Sequence, residues 1–221
     1  TRPTFVEIPP ELKSMLDGGM GPTKQKAARL VVDLASTAGA SEFIRVDNAH
    51  VSGVSVITGG HGLRRFLSDL SGDPKGAVSI PTTLNSAGCD HEKMDEMGID
   101  YPDFLEQQFE IVQAYSGLGI EATLSCTPYD RGIESTEGIG SWAESNAVCF
   151  SNSYTSLVTN RESGLSALAT ALTGWAPKWG LHIETNRSPN ILVNVEARMS
   201  DVTDWSILGD WVGKQIMPTW D

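Results

Sequence analysis

Three stretches of this chain concentrate groups that can do chemistry. Thr123-Leu-Ser-Cys-Thr-Pro-Tyr129 carries a thiol, Cys126, at the end of a short apolar run. Trp142-Ala-Glu-Ser-Asn-Ala-Val148 adds a carboxylate, a hydroxyl and an amide, and Thr159-Asn-Arg161 ends in a guanidinium. Small hydrogen-bonding groups packed this densely around one thiol suit a polar pocket with a soft metal ligand in its wall better than a core. As a thiolate, Cys126 could bind iron, zinc or an iron–sulfur cluster. One cysteine cannot complete such a site, so further ligands must come from Cys89, Cys149 or polypeptide beyond these residues. Cys149, within the apolar run Ala147-Val-Cys-Phe150, is expected in the core.

Glu144, Ser145 and Asn146 are expected on a helix beside Trp142, where at least one must point inward. A carboxylate there needs a partner, and Arg161 is the candidate. Alternatively, Arg161 holds a substrate carboxylate through its bidentate fork. The four histidines, His50, His61, His91 and His182, form neither HExxH nor HxH, so a zinc enzyme has little support. His50 stands out beside Ser52 and Gly53, as a satisfied structural histidine or as a site residue. His91, in a charged stretch, is expected in solvent. Gly18-Gly-Met-Gly21 and Thr58-Gly-Gly-His-Gly62 match no phosphate loop and read as turns, and no GxSxG nucleophile elbow occurs.

The elements that would position these groups follow from periodicity and punctuation. Helices are expected at Pro9–Leu16, Lys24–Thr37, Gly62–Leu70, Asp103–Ser116, Gly140–Phe150, Gly164–Leu172 and Asp204–Lys214. Ala27, Ala28, Val31, Leu34 and Ala35 mark the inner face of the second. Phe104, Leu105, Phe109, Val112 and Tyr115 mark that of the fourth. Strands are expected at Glu42–Val46, Ala77–Ile80, Ile120–Ser125 and Asn190–Val195. Gln215 onward reads as the entry to another strand, as though cut from a longer chain. Helices alternating with short strands predict an α/β fold with a mostly parallel sheet. In such sheets ligands bind beyond the carboxyl ends of the strands. Three successive strand ends here lead into residues 49–53, 81–85 and 126–129, all polar.

At 221 residues, 40% hydrophobic and 20% charged, the chain is long enough for a substantial core. Its net charge of −12 disfavours nucleic acid and anionic membrane surfaces as partners. No stretch approaches the roughly 20 apolar residues of a membrane span, and no signal-peptide pattern opens the chain. Three cysteines without CxxC spacing read as reduced thiols rather than a disulfide framework. The expected location is cytoplasmic.

In order, AHVSG (49–53), PTTLN (81–85), SCTPY (125–129), SWAESNAV (141–148), FSNS (150–153), TNR (159–161), ALTGWAPKWGLH (171–182) and ETNR (184–187) resemble the large subunit of aconitase X. The resemblance runs from near the start to the end of the chain. It covers the N-terminal half of the family's catalytic region. It implies a three-layer αβα domain over residues 1–221. The remaining part of the large subunit and a swivelling small subunit or domain are the implied partners.

The implied activity is that of a hydro-lyase, eliminating water from a small hydroxy acid with an iron–sulfur cluster or iron. The metal polarises the leaving hydroxyl while a base takes a proton from the neighbouring carbon. The catalytic serine is expected in the swivelling domain. Carried onto this sequence, Cys126 is the cluster ligand. His50, Ser52, Thr82, Thr83, Asn85, Glu144, Ser145, Asn146, Asn152 and Arg161 line the cleft. The family motif AV-hydrophobic-FANS is broken by Cys149 and Ser151, which removes family support for Cys149 as a ligand. The implied substrate is cis-3-hydroxy-L-proline or mevalonate 5-phosphate. Acidic charge and the lack of a visible phosphate cradle favour the former. The other class of reading is a catalytically silent subunit or binding module that keeps the fold without a complete cluster.

Overall fold

The computed structural model describes residues 7–90, 92–93, 96–98, 103–131 and 137–216, without the side chain of Ser145. Expected features at His91 and at 217–221 lie outside the described residues. The chain divides into two compact units, Thr1–Asn186 and Arg187–Asp221.

In the first unit, helix α1 (Pro10–Leu16) leads to α2 (Pro22–Ala38). Proline at the first helical position begins each, where its missing N–H costs nothing. Helix α2 buries Ala27, Ala28, Val31 and Ala35, as their spacing predicts, and ends at Gly39 in a left-handed cap. Strand β1 (Phe43–Arg45) is followed at once by β2 (Asn48–Val51). Helix α3 (Val56–Ser71) starts well ahead of the expected Gly62. Ser55 caps it by accepting the Ile57 N–H at 3.2 Å, and Gly60 at φ 54°, ψ −156° carries a kink through the glycine-rich turn.

Strand β3 (Thr82–Leu84) and helix α4 (Phe104–Gly117) come next. Leu105 and Phe109 of α4 are exposed, contrary to expectation. Gln108 turns inward instead and is fully buried. Its Oε1 accepts the Val56 and Gly88 N–H groups at 3.0 and 3.1 Å, and its Nε2 donates to the Val54 carbonyl at 2.8 Å. A buried amide with both its oxygen and its nitrogen bonded substitutes for an apolar contact and ties two loops to α4. Gly88 is required there, since a Cβ would stand 2.7 Å from Gln108 Oε1.

Strand β4 (Glu137–Trp142), helix α5 (Ser145–Tyr154), strand β5 (Ser156–Val158), helix α6 (Gly164–Thr173) and strand β6 (Trp175–Pro177) complete the unit. The main sheet has the order β3-β2-β4-β5, all parallel, while β1 and β6 form a separate antiparallel pair. The α/β expectation with a mostly parallel sheet therefore holds. Ala49, Val51 and Leu84 face the large core shared with α2, α4 and α6. Trp142 and Leu157 project to the other face, where Ala147 and Val148 of α5 pack on them. Helices thus cover both sides of the sheet.

Several expected elements shift. Residues 77–80 form no strand, and the strand lies in the following PTTLN segment. Residues 140–150 divide into the end of β4 and most of α5. The segment from Ile120 to Ser125 runs beside β3 without becoming a regular strand. Glu121 N–H donates to the Thr82 carbonyl at 2.9 Å and Ser125 N–H to the Leu84 carbonyl at 3.3 Å. Between them the Thr123 hydroxyl replaces the ladder, donating to the Leu84 carbonyl at 2.7 Å. Leu124 takes φ 46°, a left-handed conformation costly for a branched side chain.

In the second unit, residues 190–195 are exposed and carry no strand. Helix α7 (Val202–Ile216) spans the predicted helix and has no buried residue. No helix among the described residues is long and apolar enough to cross a membrane.

Candidate functional site

Register brings the polar residues together. Glu121 pairs with Thr83, Thr83 with His50, His50 with Trp142 and Trp142 with Arg161, all parallel. These residues form one row across the carboxyl edge of the sheet. Side chains in such a row share a face, and two residues further along β3's direction the same parity brings in Asn85. Thr82 has the opposite parity, opposite Ala49, and its hydroxyl donates to the Ile80 carbonyl at 2.8 Å. It is not brought to the row.

His50 is fully buried and therefore cannot line an open cleft. Its Nδ1 lies 2.7 Å from Thr83 Oγ1, while Nε2 is a buried atom with no hydrogen-bond partner among the described residues. Its ring packs against Trp142, centroids 5.6 Å apart, and the Trp142 indole N–H donates to Asn48 Oδ1 at 2.6 Å. Burial pushes the imidazole down to about 4, against a smaller upward pull from the Glu144 carboxylate. It is neutral at physiological pH.

Glu144 precedes α5 as its N-cap and does not lie within the helix, correcting the expectation. Its Oε1 accepts the Asn146 N–H at 3.4 Å and its Oε2 accepts Asn85 Nδ2 at 2.8 Å. A carboxylate at this position also complements the helix dipole. The expected ion pair to Arg161 is absent. Arg161 is exposed and makes no ion pair among the described residues. The side chain of Ser145 lies outside the described residues, and Asn146 is exposed.

Asn85 is held at both ends. Its Oδ1 accepts the Ser86 N–H at 2.6 Å while its Nδ2 serves Glu144; this pattern assigns the amide orientation. The Ser86 hydroxyl lies 3.3 Å from Asn85 Oδ1 and 3.3 Å from Cys126 Sγ. A continuous line of polar contacts therefore runs from the Cys126 sulfur through Ser86 and Asn85 to Glu144. Ser86 escaped the sequence reading because a serine after PTTLN belongs to no motif. Its only signal was adjacency to Asn85. Next to this line, Ser86, Cys89, Leu124 and Arg131 help to line a cleft of about 640 Å³.

Two predicted residues stand apart. Ser52, with Gly53, Ser163 and Gly164, borders a separate, mostly apolar cavity of about 520 Å³ that Leu30, Phe66 and Tyr115 also line. Asn152 is committed to backbone. Its Nδ2 donates to the Val148 and Thr159 carbonyls at 2.9 and 2.8 Å, and its Oδ1 accepts the Thr159 N–H at 3.2 Å. Cys149, expected in the core, is exposed on α5.

Comparison with known proteins then decides the family. The family described as aconitase X first domain matches residues 6–185. This chain belongs to the aconitase X family. The crystal structure of Thermococcus kodakaraensis aconitase X in its holo form superposes with a TM-score of 0.81. The two are 38% identical, and the match covers 96% of this chain and 52% of that one. The phosphomevalonate dehydratase large subunit of Methanosarcina mazei is 38% identical over 208 residues, 93% of this chain and 51% of the relative. The cis-3-hydroxy-L-proline dehydratase of Pseudomonas aeruginosa is 35% identical over 187 residues, 83% of this chain and 31% of the relative. The chain thus spans about half the length of the large subunits it matches. For an aconitase X member, the described residues contain no group of three His, Cys, Asp or Glu able to hold a metal ion. The donors present fit one ligand of a soft metal, Cys126, and no closed coordination set.

Proposed function

We propose that this chain is the first domain of an aconitase X-type dehydratase that removes water from a small hydroxy acid. The observation that carries the reading is the convergence of Cys126, Ser86, Asn85 and Glu144 at the carboxyl edge of a parallel sheet, within a family whose named members are dehydratases. Mevalonate 5-phosphate is the favoured substrate, because the relatives of higher identity carry that activity in their names. The relatives named for cis-3-hydroxy-L-proline, at 35% and 33% identity, support that substrate as the second reading.

Cys126 would hold iron or an iron–sulfur cluster together with ligands from polypeptide outside these residues, including the rest of the large subunit. The bound group would supply Lewis-acid assistance to the departing hydroxyl. This chain's own contribution is binding and orientation. Glu144, fixed by Asn85 and by the Asn146 N–H, presents an oriented acceptor to a substrate hydroxyl. Arg161, free of any described ion pair, is suited to the substrate's anionic end. His50 stays neutral behind them and adds no charge. The proton-abstracting base belongs to the swivelling domain, and the protein is proposed to act in the cytoplasm.

The test is turnover by the complete protein with its partner domain, on both substrates, for wild type and Cys126→Ala, with iron analysis of each. Activity on mevalonate 5-phosphate lost together with iron in the variant is the expected result. Activity on cis-3-hydroxy-L-proline alone would transfer the assignment to that substrate. Iron-loaded protein inactive on both would refute the dehydratase reading and leave a binding role.

A further inference from the structure

We propose that Asn160 and His182 are positioning residues for Arg161, a side-chain clamp on the backbone that aims its guanidinium. The inference rests on the reading of Arg161 as the group that meets the substrate's anionic end. Arg161 is exposed and its side chain is long, so its aim depends on the backbone on either side of it. On one side, the Glu162 N–H donates to the Trp142 carbonyl at 2.9 Å. On the other stands Asn160, only 4% exposed. Its Oδ1 accepts the Leu181 N–H at 2.7 Å, and its Nδ2 donates to the Trp179 carbonyl at 3.0 Å and to His182 Nδ1 at 3.2 Å. The two backbone partners, one a donor and one an acceptor, leave the amide a single orientation.

His182, buried as well, closes the clamp. Its Nε2 lies 3.1 Å from the Gly140 carbonyl. A carbonyl only accepts, so the ring carries its proton on Nε2 and leaves Nδ1 to accept from Asn160. The ring thereby joins Gly140, two residues before Trp142, to Asn160, one before Arg161, and Trp142 and Arg161 are themselves paired in parallel. The turn that carries His182 is built for close approach. Gly180 takes φ 55°, and a Cβ there would stand 2.4 Å from Asn160 Oδ1, so glycine is what lets the turn lie on the amide. Asn186 Nδ2 holds the Gly180 carbonyl from its other side at 2.9 Å. The GLH and ETNR segments, which touch no part of the row directly, thus serve the strand end that carries Arg161.

Asparagine at position 182 places an acceptor where Nδ1 stands and keeps the bond to Asn160, whereas glutamine reaches the Nε2 position and keeps the bond to Gly140. The experiment measures KM, kcat and melting temperature of the complete protein with its partner domain, on mevalonate 5-phosphate or, if that alone is turned over, cis-3-hydroxy-L-proline. It compares wild type, Arg161→Ala, His182→Gln, His182→Asn, Gly180→Ala and the double variant of Arg161→Ala with His182→Gln. Arg161→Ala should raise KM on the order of 10- to 100-fold, as loss of a charged hydrogen bond does. His182→Gln should raise KM on the order of 10-fold with kcat little changed, and His182→Asn should restore it. Gly180→Ala, which displaces the Asn160 amide while removing no polar group, should act like His182→Gln. In the Arg161→Ala background His182→Gln should add nothing, because a residue that acts through Arg161 has nothing left to aim. Unchanged KM in both His182→Gln and Gly180→Ala, or effects that multiply in the double variant, would overturn the clamp and leave a purely structural contact. An unchanged KM in Arg161→Ala would instead overturn the reading of Arg161, and the clamp with it.

Discussion

His50 makes the fold sensitive to acid, and the size of the effect follows from its burial. In the unfolded chain a histidine titrates near 6.5, whereas in the native state burial holds His50 down at about 4. Between those values the unfolded chain binds a proton that the native protein refuses. Stability therefore falls as pH drops through this window and is flat above it. Each unit of difference is worth about 1.36 kcal/mol. Between pH 7.5 and pH 4.5 the penalty from this one ring amounts to about 2.5 kcal/mol. The Glu144 carboxylate already moderates it, since its attraction for an imidazolium is part of the native value. Thr83 and Trp142, the other partners of the ring, are neutral.

The assay is urea denaturation at half-unit steps of pH for wild type and His50→Asn. Asparagine can still reach Thr83 but cannot ionise. The variant should be less stable at pH 7.5, through lost packing, yet its stability should decline with acid by about 2.5 kcal/mol less than wild type over the interval. Parallel declines, within about 0.5 kcal/mol throughout, would refute the burial argument and require the ring to be protonated in the native state.

Two further substitutions separate structure from chemistry. Asn152→Ala should lower stability by roughly 2–3 kcal/mol, since the Thr159 N–H and carbonyl lose their side-chain partner and the Val148 carbonyl loses an added bond. Its main signature in kinetics should be less active protein at unchanged KM, and a raised KM with unchanged melting temperature would restore Asn152 as a substrate contact. Leu124→Gly should raise stability by about 1 kcal/mol by relieving a left-handed leucine. A melting temperature at or below that of wild type would refute the strain assignment.

How much of this was legible beforehand depended on the element. Helix α2 was readable because four buried residues fall at helical spacing and proline and glycine mark its ends. The strands were not, for two reasons. β2 and β3 are only three or four residues long and buried on both faces, so they lack the alternation that identifies a half-buried strand. β3 is also flanked by Pro81 and Asn85, residues that signal loops. The polar segments at 49–53 and 81–85, which look like loops following strands, themselves contain most of β2 and all of β3. Adjacent parallel strands do place equivalent positions of the two segments side by side, His50 beside Thr83. The failures at the site have a common cause. Sequence suggests which groups need partners, but Glu144 chose Asn85 over Arg161, a decision made by sheet register and invisible in the chain.

That sheet has a kinetic consequence. Every pairing that builds the row joins segments more than fifteen residues apart in sequence, from Thr83 beside His50 to Trp142 beside Arg161. No short stretch holds any two of its members by local structure alone. The site should therefore be among the last features to appear during folding and among the first to vanish when any one crossover opens. Completion of the fold and completion of the row are thereby coupled: a molecule that has not finished folding presents no partial row of these residues.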